Sequence, residues 1–325
     1  MTWEPPRNVS VVIATHDRLA ELDALLHDLA QQTESPHEVI VVDSDAATTD
    51  SRALVNSHAR RGLHAEHVLS ENVVATKRNA GALRSTGDLL VILDDDLRVG
   101  SGFLAAHLAA HDQPRVVASG HVSFPRTWAQ TSNYYRFKST RHARSEGEEV
   151  PPHRFVSMNN SVERADYLAI EGYDEDYRMY GGEDLDFGFR SARAGLKHRL
   201  APVESMAEHH EVKMNWQQYV DKVHKAAFFG LPLVLSKNPE ARQVPTVRVS
   251  VPGAARAPRE KALAAVVGAL AHRPVLRFAA AVLAWSDSHP ALNSTLAQTV
   301  VSLAANRLGF VEQLRGRAYA PVARP

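Results

Sequence analysis

Short apolar runs that alternate with segments of helical periodicity are the feature that most constrains the fold of this 325-residue chain. The runs are almost continuously apolar, as in strands that are covered on both faces of a sheet. They span residues 9–14, 38–42 and 89–93, with a short strand at 65–69, and the helical segments span residues 19–31, 51–61 and 75–84. This order predicts an α/β fold with a Rossmann-like, mostly parallel sheet and helices on both faces.

Polar and acidic residues directly follow three of the predicted strands. They are Thr15-His16-Asp17-Arg18, Asp43-Ser44-Asp45 and Asp94-Asp95-Asp96. The carboxyl ends of parallel strands meet at one edge of a sheet, where ligands bind in such folds. A preference of Asp for turns and helix caps could explain any one of these groups, but it explains the acidic triplet poorly. The sequence therefore predicts a ligand site at this edge.

The acidic triplet has the chemistry of a site for a hard divalent cation. Side chains alternate along an extended segment, so Asp94 and Asp96 are expected to project to the same side. Carboxylate oxygens suit Mg²⁺ or Mn²⁺, which take their remaining ligands from water and from substrate phosphates. The chain has no cysteine, so thiolate ligands are excluded. The pattern D-x-D predicts a metal-held nucleotide diphosphate, although it also occurs by chance.

Overall charge and hydropathy narrow the class of protein. Lys+Arg and Asp+Glu both total 37, which gives no general electrostatic reason to expect nucleic-acid binding. The N-terminal residues do not resemble a secretory signal, and no uninterrupted apolar run reaches the length of a membrane span. These features predict a cytoplasmic protein.

Seven segments, taken in their order along the chain, carry a family resemblance. They are VVIATHDR, VIVVDSD, KRNAG, GDLLVILDDD, MNNSV, EGYDE and GGEDLDFGFR. Together they resemble the inverting family 2 glycosyltransferases of the GT-A fold, over roughly residues 8–230. The resemblance implies metal-dependent transfer, with inversion, of a sugar from a nucleotide diphosphate sugar to a hydroxyl acceptor. UDP is the commonest nucleotide of the family, and the acceptor could be a saccharide, a lipid-linked sugar or a small molecule.

The resemblance also implies a donor site. The segment 14–18 and an acid after the second strand would hold the base and ribose, and a cation of KRNAG would lie near the base or diphosphate. Asp94 would approach the ribose or sugar, and Asp95 is expected to turn away. Asn159 has two expected roles, a sugar contact or a hydrogen bond at a strand edge. The donor-site residues are Thr15, Asp17, Arg18, Asp43, Asp45, Lys77, Arg78, Asp94, Asp95 and Asn159.

Metal ligation is implied for Asp96, a Mn²⁺ or Mg²⁺ ion being the expected cofactor. Metal-using relatives carry a further histidine ligand beyond their second acidic motif. His209 and His210 occupy that position in this chain, and His209 is favoured.

The segment GGEDLDFGFR carries the residues implied to act on the acceptor. Asp184 resembles the general base that takes a proton from the attacking hydroxyl. Glu183 would orient the acceptor, and Gly181-Gly182 would bring the backbone close to the substrate. The alternative is that these acids cap a helix over residues 185–194, because negative charge stabilises a helix N-terminus.

The chain is predicted to divide into three parts. A GT-A domain covers residues 1–235, with a nucleotide-sugar half at about 8–120 and an acceptor half at about 121–235. A proline- and arginine-rich linker covers residues 236–260, and a helical extension covers 261–325. The extension could pack on the catalytic domain, form a homodimer, or contact a membrane as a peripheral element.

Two other functions compete with sugar transfer. A nucleotidyltransferase would need a glycine-rich phosphate loop after the first strand, and THDRLAE has no glycine. The other is a catalytically inactive GT-A scaffold or carbohydrate-binding subunit. Such a scaffold would have no reason to retain acids that repel one another.

Overall fold

The computed structural model describes residues 3–44, 49–142, 149–211 and 214–323. The chain divides into two compact units. The first comprises residues 1–125, 142–178 and 187–211, and the second comprises 126–141, 179–186 and 212–325. The strands are β1 Val9–Ala14, β2 Glu38–Asp43, β3 Ala65–Leu69, β4 Leu89–Asp94, β5 Leu97–Val99, β6 Val116–Ser119, β7 Val122–Ser123, β8 Asn159–Glu163, β9 Lys197–Leu200 and β10 Ala207–His209.

Helices account for most of the remaining regular structure. They are α1 Leu19–Leu29, α2 Thr49–Arg60, α3 Val74–Arg84, α4 Phe103–Ala109, α5 Arg126–Thr131, α6 Asn133–His142, α7 Arg164–Ala169, α8 Glu183–Arg193, α9 Trp216–Lys237, α10 Pro245–Ser250, α11 Pro258–Leu270, α12 Arg273–Ser286 and α13 Thr295–Leu314.

The first unit is built on a mixed sheet with strand order β3-β2-β1-β4-β8-β6-β9. Strands β3, β2, β1 and β4 are parallel, which confirms the α/β prediction for the first 94 residues. Strand β8 runs antiparallel to β4 and to β6. In the register of β1 and β4, Ala14 lies beside Asp94. The two acid-bearing segments that follow these strands therefore leave the sheet at the same edge.

Successive apolar side chains of the central strands point to opposite faces of the sheet, and they form two apolar clusters in this unit. Val11 and Ile13 of β1 belong to a cluster with helix α1 and with Phe103 of α4. Val12 belongs to a second cluster with Ile92 and with Phe187 of α8. Successive side chains of a strand point to opposite faces, so helices cover both faces as predicted.

A small second sheet fixes the chain directly after the acidic triplet. Its order is β5-β10-β7, and β5 begins at Leu97, one residue after Asp96. Strand β10 pairs antiparallel with β5, with His209 opposite Leu97. The backbone N–H of His210 also donates to the carbonyl of Asp96 at 2.8 Å. Residues more than 110 positions apart are thereby held next to each other.

The second unit is helical, and α9 and α13 approach each other closely. A Cβ at Gly309 of α13 would lie 2.3 Å from the carbonyl oxygen of His224 in α9. Beside this glycine, Glu312 accepts from His224 at 2.9 Å and from Arg273 at 2.7 Å. Both His224 and Glu312 are buried. The C-terminal helical extension expected from the sequence is present as α11, α12 and α13, which begin at Pro258.

Residues 236–260, expected to form a linker, contain regular structure. A 3₁₀ turn covers Pro239–Gln243, and α10 follows. Pro239, Pro245 and Pro258 each lie at the start of a helical segment, where the missing N–H of proline has no partner to lose. The prolines therefore start short helices here and do not mark an irregular linker.

Among the described helices, none alone combines the length and apolarity needed to cross a bilayer. Helices α11 and α12 meet these criteria only as a pair, and the chain bends by 97° between them.

Candidate active site

The acidic triplet after β4 meets the residues that follow β1. Thr15 donates its hydroxyl to Asp95 at 2.8 Å. The Arg18 guanidinium donates to Asp95 at 2.8 Å and to Asp96 at 2.7 Å. Both carboxylate side chains are only 4% exposed, whereas that of Arg18 is 40% exposed. The edge predicted from the strand ends therefore exists, with Arg18 as the cation that offsets two buried acids.

His209 lies against the other oxygen of the Asp96 carboxylate. Its Nε2 atom is 3.2 Å from Asp96 Oδ1, and the imidazole is buried. No hydrogen bond is aligned on Asp96 Oδ1 or on His209 Nδ1, although both atoms are buried. Phe124 lies beside the imidazole, with the ring centroids 5.5 Å apart. Asp96 Oδ1 thus faces His209 Nε2, while the opposite ring nitrogen, Nδ1, is buried without an aligned hydrogen bond.

The two acids of this edge differ in their proton affinity. Burial raises the pKa of Asp95 to about 6, against the opposing effects of Arg18 and Thr15. Burial also acts to raise the pKa of Asp96. Contacts with His209 and Arg18 outweigh it, so the pKa of Asp96 lies below its usual range. Asp96 is therefore an anion at neutral pH, as a metal ligand must be.

Two cations of α3 extend the site. The ammonium of Lys77 donates to the Thr15 carbonyl at 2.7 Å and to the Asn72 side chain at 3.0 Å. Burial lowers the pKa of Lys77, partly offset by nearby acids. Arg78 donates to Asp94 at 3.0 Å. Both cations are donor-site candidates from the sequence, and the structure brings both to the acidic edge. Asn72 was not anticipated, because a lone Asn before a helix carries no distinctive signal.

The remaining donor-site predictions have different outcomes. Asp43 is buried and accepts from the N–H of Ser44 at 2.6 Å. Asp17 is exposed and has a positive φ of 54°. Asp45 lies outside the described residues. The buried Asn159 side chain donates to the carbonyls of His121 and Ser205, both at 2.9 Å. Of its two expected roles, these contacts favour the hydrogen bond within the fold.

The structure also separates the two candidate histidine ligands. The Nε2 atom of His210 lies 2.6 Å from Glu208, and its side chain is 38% exposed. Adjacent residues of a strand project to opposite sides, so only one of this pair can face Asp96. That residue is His209, the one favoured from the sequence.

The acids of GGEDLDFGFR begin α8, in the part of the chain assigned to the second unit. Glu183 is buried and Asp184 is half-buried. The fully buried Asp186 accepts from Asn238 at 2.8 Å, a partner that no sequence signal revealed. All three acids lie in the first turn of the helix, where the helix dipole stabilises negative charge. One of the three therefore has a structural role.

The glycines before these acids have a packing role. Gly181 and Gly182 both have φ of +103°, a conformation that favours glycine. A Cβ at Gly181 would lie 2.5 Å from that of Ala226, and a Cβ at Gly230 would lie 2.0 Å from the Gly181 carbonyl. The backbone at these glycines was expected to lie close to the substrate. The close approach that the structure shows is to α9.

The residues around Asp96 fit a divalent cation that is shared with a ligand. Adjacent ligands of an octahedral ion at about 2.1 Å are separated by about 3 Å. The distance of 3.2 Å between Asp96 Oδ1 and His209 Nε2 is close to that value. Within the described residues, no group of three or more acidic or histidine side chains could hold a metal. Two protein ligands suit an ion that takes its other ligands from water and phosphate.

Comparisons with known families and proteins show what this chain is similar to. Residues 10–164 match the model of glycosyl transferase family 2, and residues 121–215 match that of the N-terminal domain of galactosyltransferase. Validoxylamine A glucosyltransferase of Streptomyces hygroscopicus subsp. limoneus is 31% identical over 58% of this chain and 48% of its own length. Pre-mycofactocin glycosyltransferase of Mycobacterium tuberculosis is 28% identical over 69% and 46%, respectively. The chain spans about half the length of these relatives.

Solved structures share the fold. A mannosyltransferase from Pyrobaculum calidifontis, in complex with GDP-Man and Mn²⁺, superposes with a TM-score of 0.58 at 19% identity, covering 97% of this chain and 89% of its own. A structure of GalNAc-T7 with UDP, GalNAc and Mn²⁺ gives 0.52 at 16% identity, covering 74% and 52%. These matches support a family 2 glycosyltransferase over residues 10–164, and the chain has the GT-A fold.

Proposed function

We propose that this chain transfers a sugar, with inversion at the anomeric carbon, from a nucleotide diphosphate sugar to a hydroxyl acceptor. The observation that carries the proposal is the convergence on Asp96. Arg18 and His209 are far apart along the chain, yet both contact the Asp96 carboxylate at the edge where β1 and β4 end. Two buried acids that share one half-exposed arginine are costly unless a further cation completes the site.

Asp96 and His209 would hold the divalent ion, Mn²⁺ or Mg²⁺. When bound, the ion supplies positive charge that offsets the charge developing on the departing nucleotide diphosphate. Two structures with the same fold carry Mn²⁺ with GDP-Man or with UDP, which supports a metal-assisted donor site. We propose UDP as the nucleotide because it is the commonest in the family, and GDP is the alternative to test.

Cations around this edge would bind the rest of the donor. Lys77 and Arg78 lie within hydrogen-bond distance of the Thr15 carbonyl and the Asp94 carboxylate, respectively. Positive side chains at these positions can orient a diphosphate and neutralise its charge. Asp43 and Asp94 would accept hydrogen bonds from the base and the ribose or sugar hydroxyls.

On the acceptor side, we propose Asp184 as the general base. A sugar hydroxyl is a weak nucleophile until a positioned carboxylate takes its proton. Asp184 is half-buried, whereas Asp186 is fully buried on Asn238. Asp184 is therefore the more accessible of the two acids. Glu183 would orient the acceptor. The acceptor could be a saccharide, a lipid-linked sugar or a small molecule.

The first experiment measures transfer from UDP- and GDP-sugars to a panel of acceptors, with Mn²⁺, with Mg²⁺ or with EDTA. Release of the nucleotide diphosphate gives the rate, and NMR of the product gives its anomeric configuration. We expect metal-dependent turnover with the configuration inverted. A product of retained configuration would contradict the mechanism, and the absence of turnover with every donor would favour an inactive scaffold.

The second experiment replaces Asp184 with Asn. Loss of a general base should lower kcat by roughly a hundredfold or more, while leaving donor affinity unchanged. The matched control is Glu34→Gln, which neutralises an exposed acid with no assigned role. Normal turnover by Asp184→Asn would contradict the assignment of the base without affecting that of the donor site.

A further inference from the structure

We infer that the solvent-facing side of α12 is a surface that binds anionic lipid. Four apolar side chains form one stripe along this helix, at spacings of three and four residues. Val275 is 37% exposed, Phe278 72%, Val282 43% and Trp285 67%. Positions at these spacings lie on one face of a helix. This face is independent of the donor site and of the proposed transfer.

Helix α12 has a second apolar side, which is already covered. Leu276, Ala280 and Leu283 are buried within the second unit. A surface helix normally turns one apolar stripe to the core and a polar face to water. Here the face opposite the core carries the two largest apolar side chains of the helix. Exposed apolar surface of this kind is typical of a site that binds a partner or a membrane.

The charges around the stripe select the partner. Residues 256–289 contain five Lys or Arg and two Asp or Glu, a formal charge of +3 in a chain whose total is zero. Both acids face internal partners. Glu260 pairs with Arg248, and Asp287 accepts from the N–H of Tyr134 and from Trp216.

The basic residues of this segment behave differently. Arg256, Arg259, Lys261 and Arg277 are exposed, and only Arg273 pairs with a buried acid, Glu312. The segment that carries the apolar stripe is therefore cationic, with the exposed Arg277 on α12 itself and the other three at the start of α11 or just before it. Two copies of such a segment would repel each other, whereas an anionic lipid surface complements both its charge and the stripe.

The side chains are also those expected at a membrane interface. Trp and Phe on one side of a helix, with Lys and Arg at the edge, are typical of helices that lie in the headgroup region. The indole of Trp285 stacks on His289, with the ring centroids 5.6 Å apart, which holds it on the outside of the helix.

The test uses the full chain with sedimented vesicles. One set contains phosphatidylcholine alone, and the other contains phosphatidylcholine mixed with phosphatidylglycerol. We expect binding to the mixed vesicles, with a blue shift of tryptophan fluorescence and quenching by brominated lipid. Trp285 dominates this signal because it is the exposed one of four tryptophans, Trp216 being buried and Trp3 and Trp128 half-buried.

Two variants separate the contributions. Phe278→Ser with Trp285→Ser should weaken binding by roughly a hundredfold, because each buried aromatic contributes about a factor of ten or more. Arg259→Ser with Lys261→Ser should weaken binding to the anionic vesicles by roughly tenfold, with little change for the neutral ones. Leu83→Ser, which removes a side chain that is 67% exposed in α3, is the control and should bind normally. Thermal unfolding confirms that each variant is folded.

Three outcomes would overturn the inference. One is that the wild type does not sediment with the mixed vesicles. Another is that the Phe278 and Trp285 double variant binds as well as the wild type. The third is a dimer in sedimentation equilibrium that this double variant abolishes without any vesicle binding, which would assign the face to a second copy. None of these outcomes depends on donor turnover, so the proposed function is tested separately.

Discussion

Arg18 neutralises the acidic edge, and its replacement by Gln should expose the competition between this guanidinium and a metal ion for Asp96. The guanidinium donates to Asp95 at 2.8 Å and to Asp96 at 2.7 Å. A divalent ion at Asp96 would supply positive charge to the same carboxylate. We therefore expect Arg18→Gln to be unstable without metal and to be rescued in part by Mn²⁺.

The expected loss of stability follows from the two hydrogen bonds that Arg18 donates and from the solvent exposure of the side chains that form them. A hydrogen bond to a charged group contributes about 1.5–3 kcal/mol when its partners are buried. The acids here are 4% exposed, but the arginine side chain is 40% exposed, so solvent screens part of the interaction. Asp95, with a pKa raised to about 6, can also take up a proton when the arginine is lost. We expect a loss of about 2 kcal/mol in the free energy of unfolding at neutral pH.

The assay is urea unfolding in EDTA and in Mn²⁺ at matched ionic strength. A ligand that binds only the folded state stabilises it in proportion to its affinity. The gain in unfolding free energy on adding Mn²⁺ should therefore be larger for Arg18→Gln than for the wild type. The control is Arg115→Gln, because Arg115 also pairs with a buried acid, Asp166, and its side chain is 44% exposed. This control should lose stability without gaining any dependence on Mn²⁺.

Equal stabilisation of wild type and Arg18→Gln by Mn²⁺ would refute the competition between the guanidinium and the ion. It would leave the hydrogen bonds of Arg18 intact as a structural observation.

Two further predictions concern stability. Asn238→Ala should lower the free energy of unfolding by about 1–3 kcal/mol, because it leaves the buried Asp186 carboxylate without this donor. Asn238→Asp should lower it further, because two acids would then meet. Urea unfolding of both variants tests this order. Burial lowers the pKa of His107, His111 and His198 from the usual 6.5 to about 4, 3 and 4, respectively. The stability that these neutral histidines contribute is complete above about pH 6.5 and is lost as the pH falls towards the lowered values, by about 1.4 kcal/mol per pH unit for each histidine. An unfolding free energy that does not change between about pH 6.5 and 4.5 would contradict this prediction.

Much of the first unit could be predicted from the sequence because its signals are local. Strand β1 and the strand at residues 65–69 have the predicted bounds, and β2 and β4 end one residue later than predicted. Strands β1, β2 and β4 are short, mostly apolar runs between polar turns, so composition alone marks them, whereas the strand at residues 65–69 contains Glu66 and His67 and is only half-buried. The convergence of their ends also follows from topology, since parallel strands deliver their next residues to one edge.

Contacts between distant segments could not be predicted in the same way. The choice between His209 and His210 depends on the pairing of β10 with β5, which fixes which side chain faces Asp96. The expectation that Asp95 turns away gave no partner for it, whereas the structure pairs it with Thr15 and Arg18. These contacts depend on how loops of different strands meet.

The helical part shows a second limit. The spacing of apolar residues in α12 indicates an amphipathic helix, but two of its sides are apolar. Which side is covered depends on the packing of α9 and α13, so the exposure of Phe278 and Trp285 could not be read from the sequence. The same applies to the prolines of residues 236–260, whose position at a helix start becomes evident only in the fold.

The most direct test of the metal site is a titration of Mn²⁺ binding in the presence of UDP, in which electron paramagnetic resonance measures the free ion. The variants are Asp96→Asn and His209→Gln, with His210→Gln as the matched control one residue away. We predict that the first two lose Mn²⁺ affinity by roughly tenfold or more, while His210→Gln binds as the wild type does. Equal Mn²⁺ affinity in all three variants and the wild type would contradict a metal-assisted donor site at Asp96.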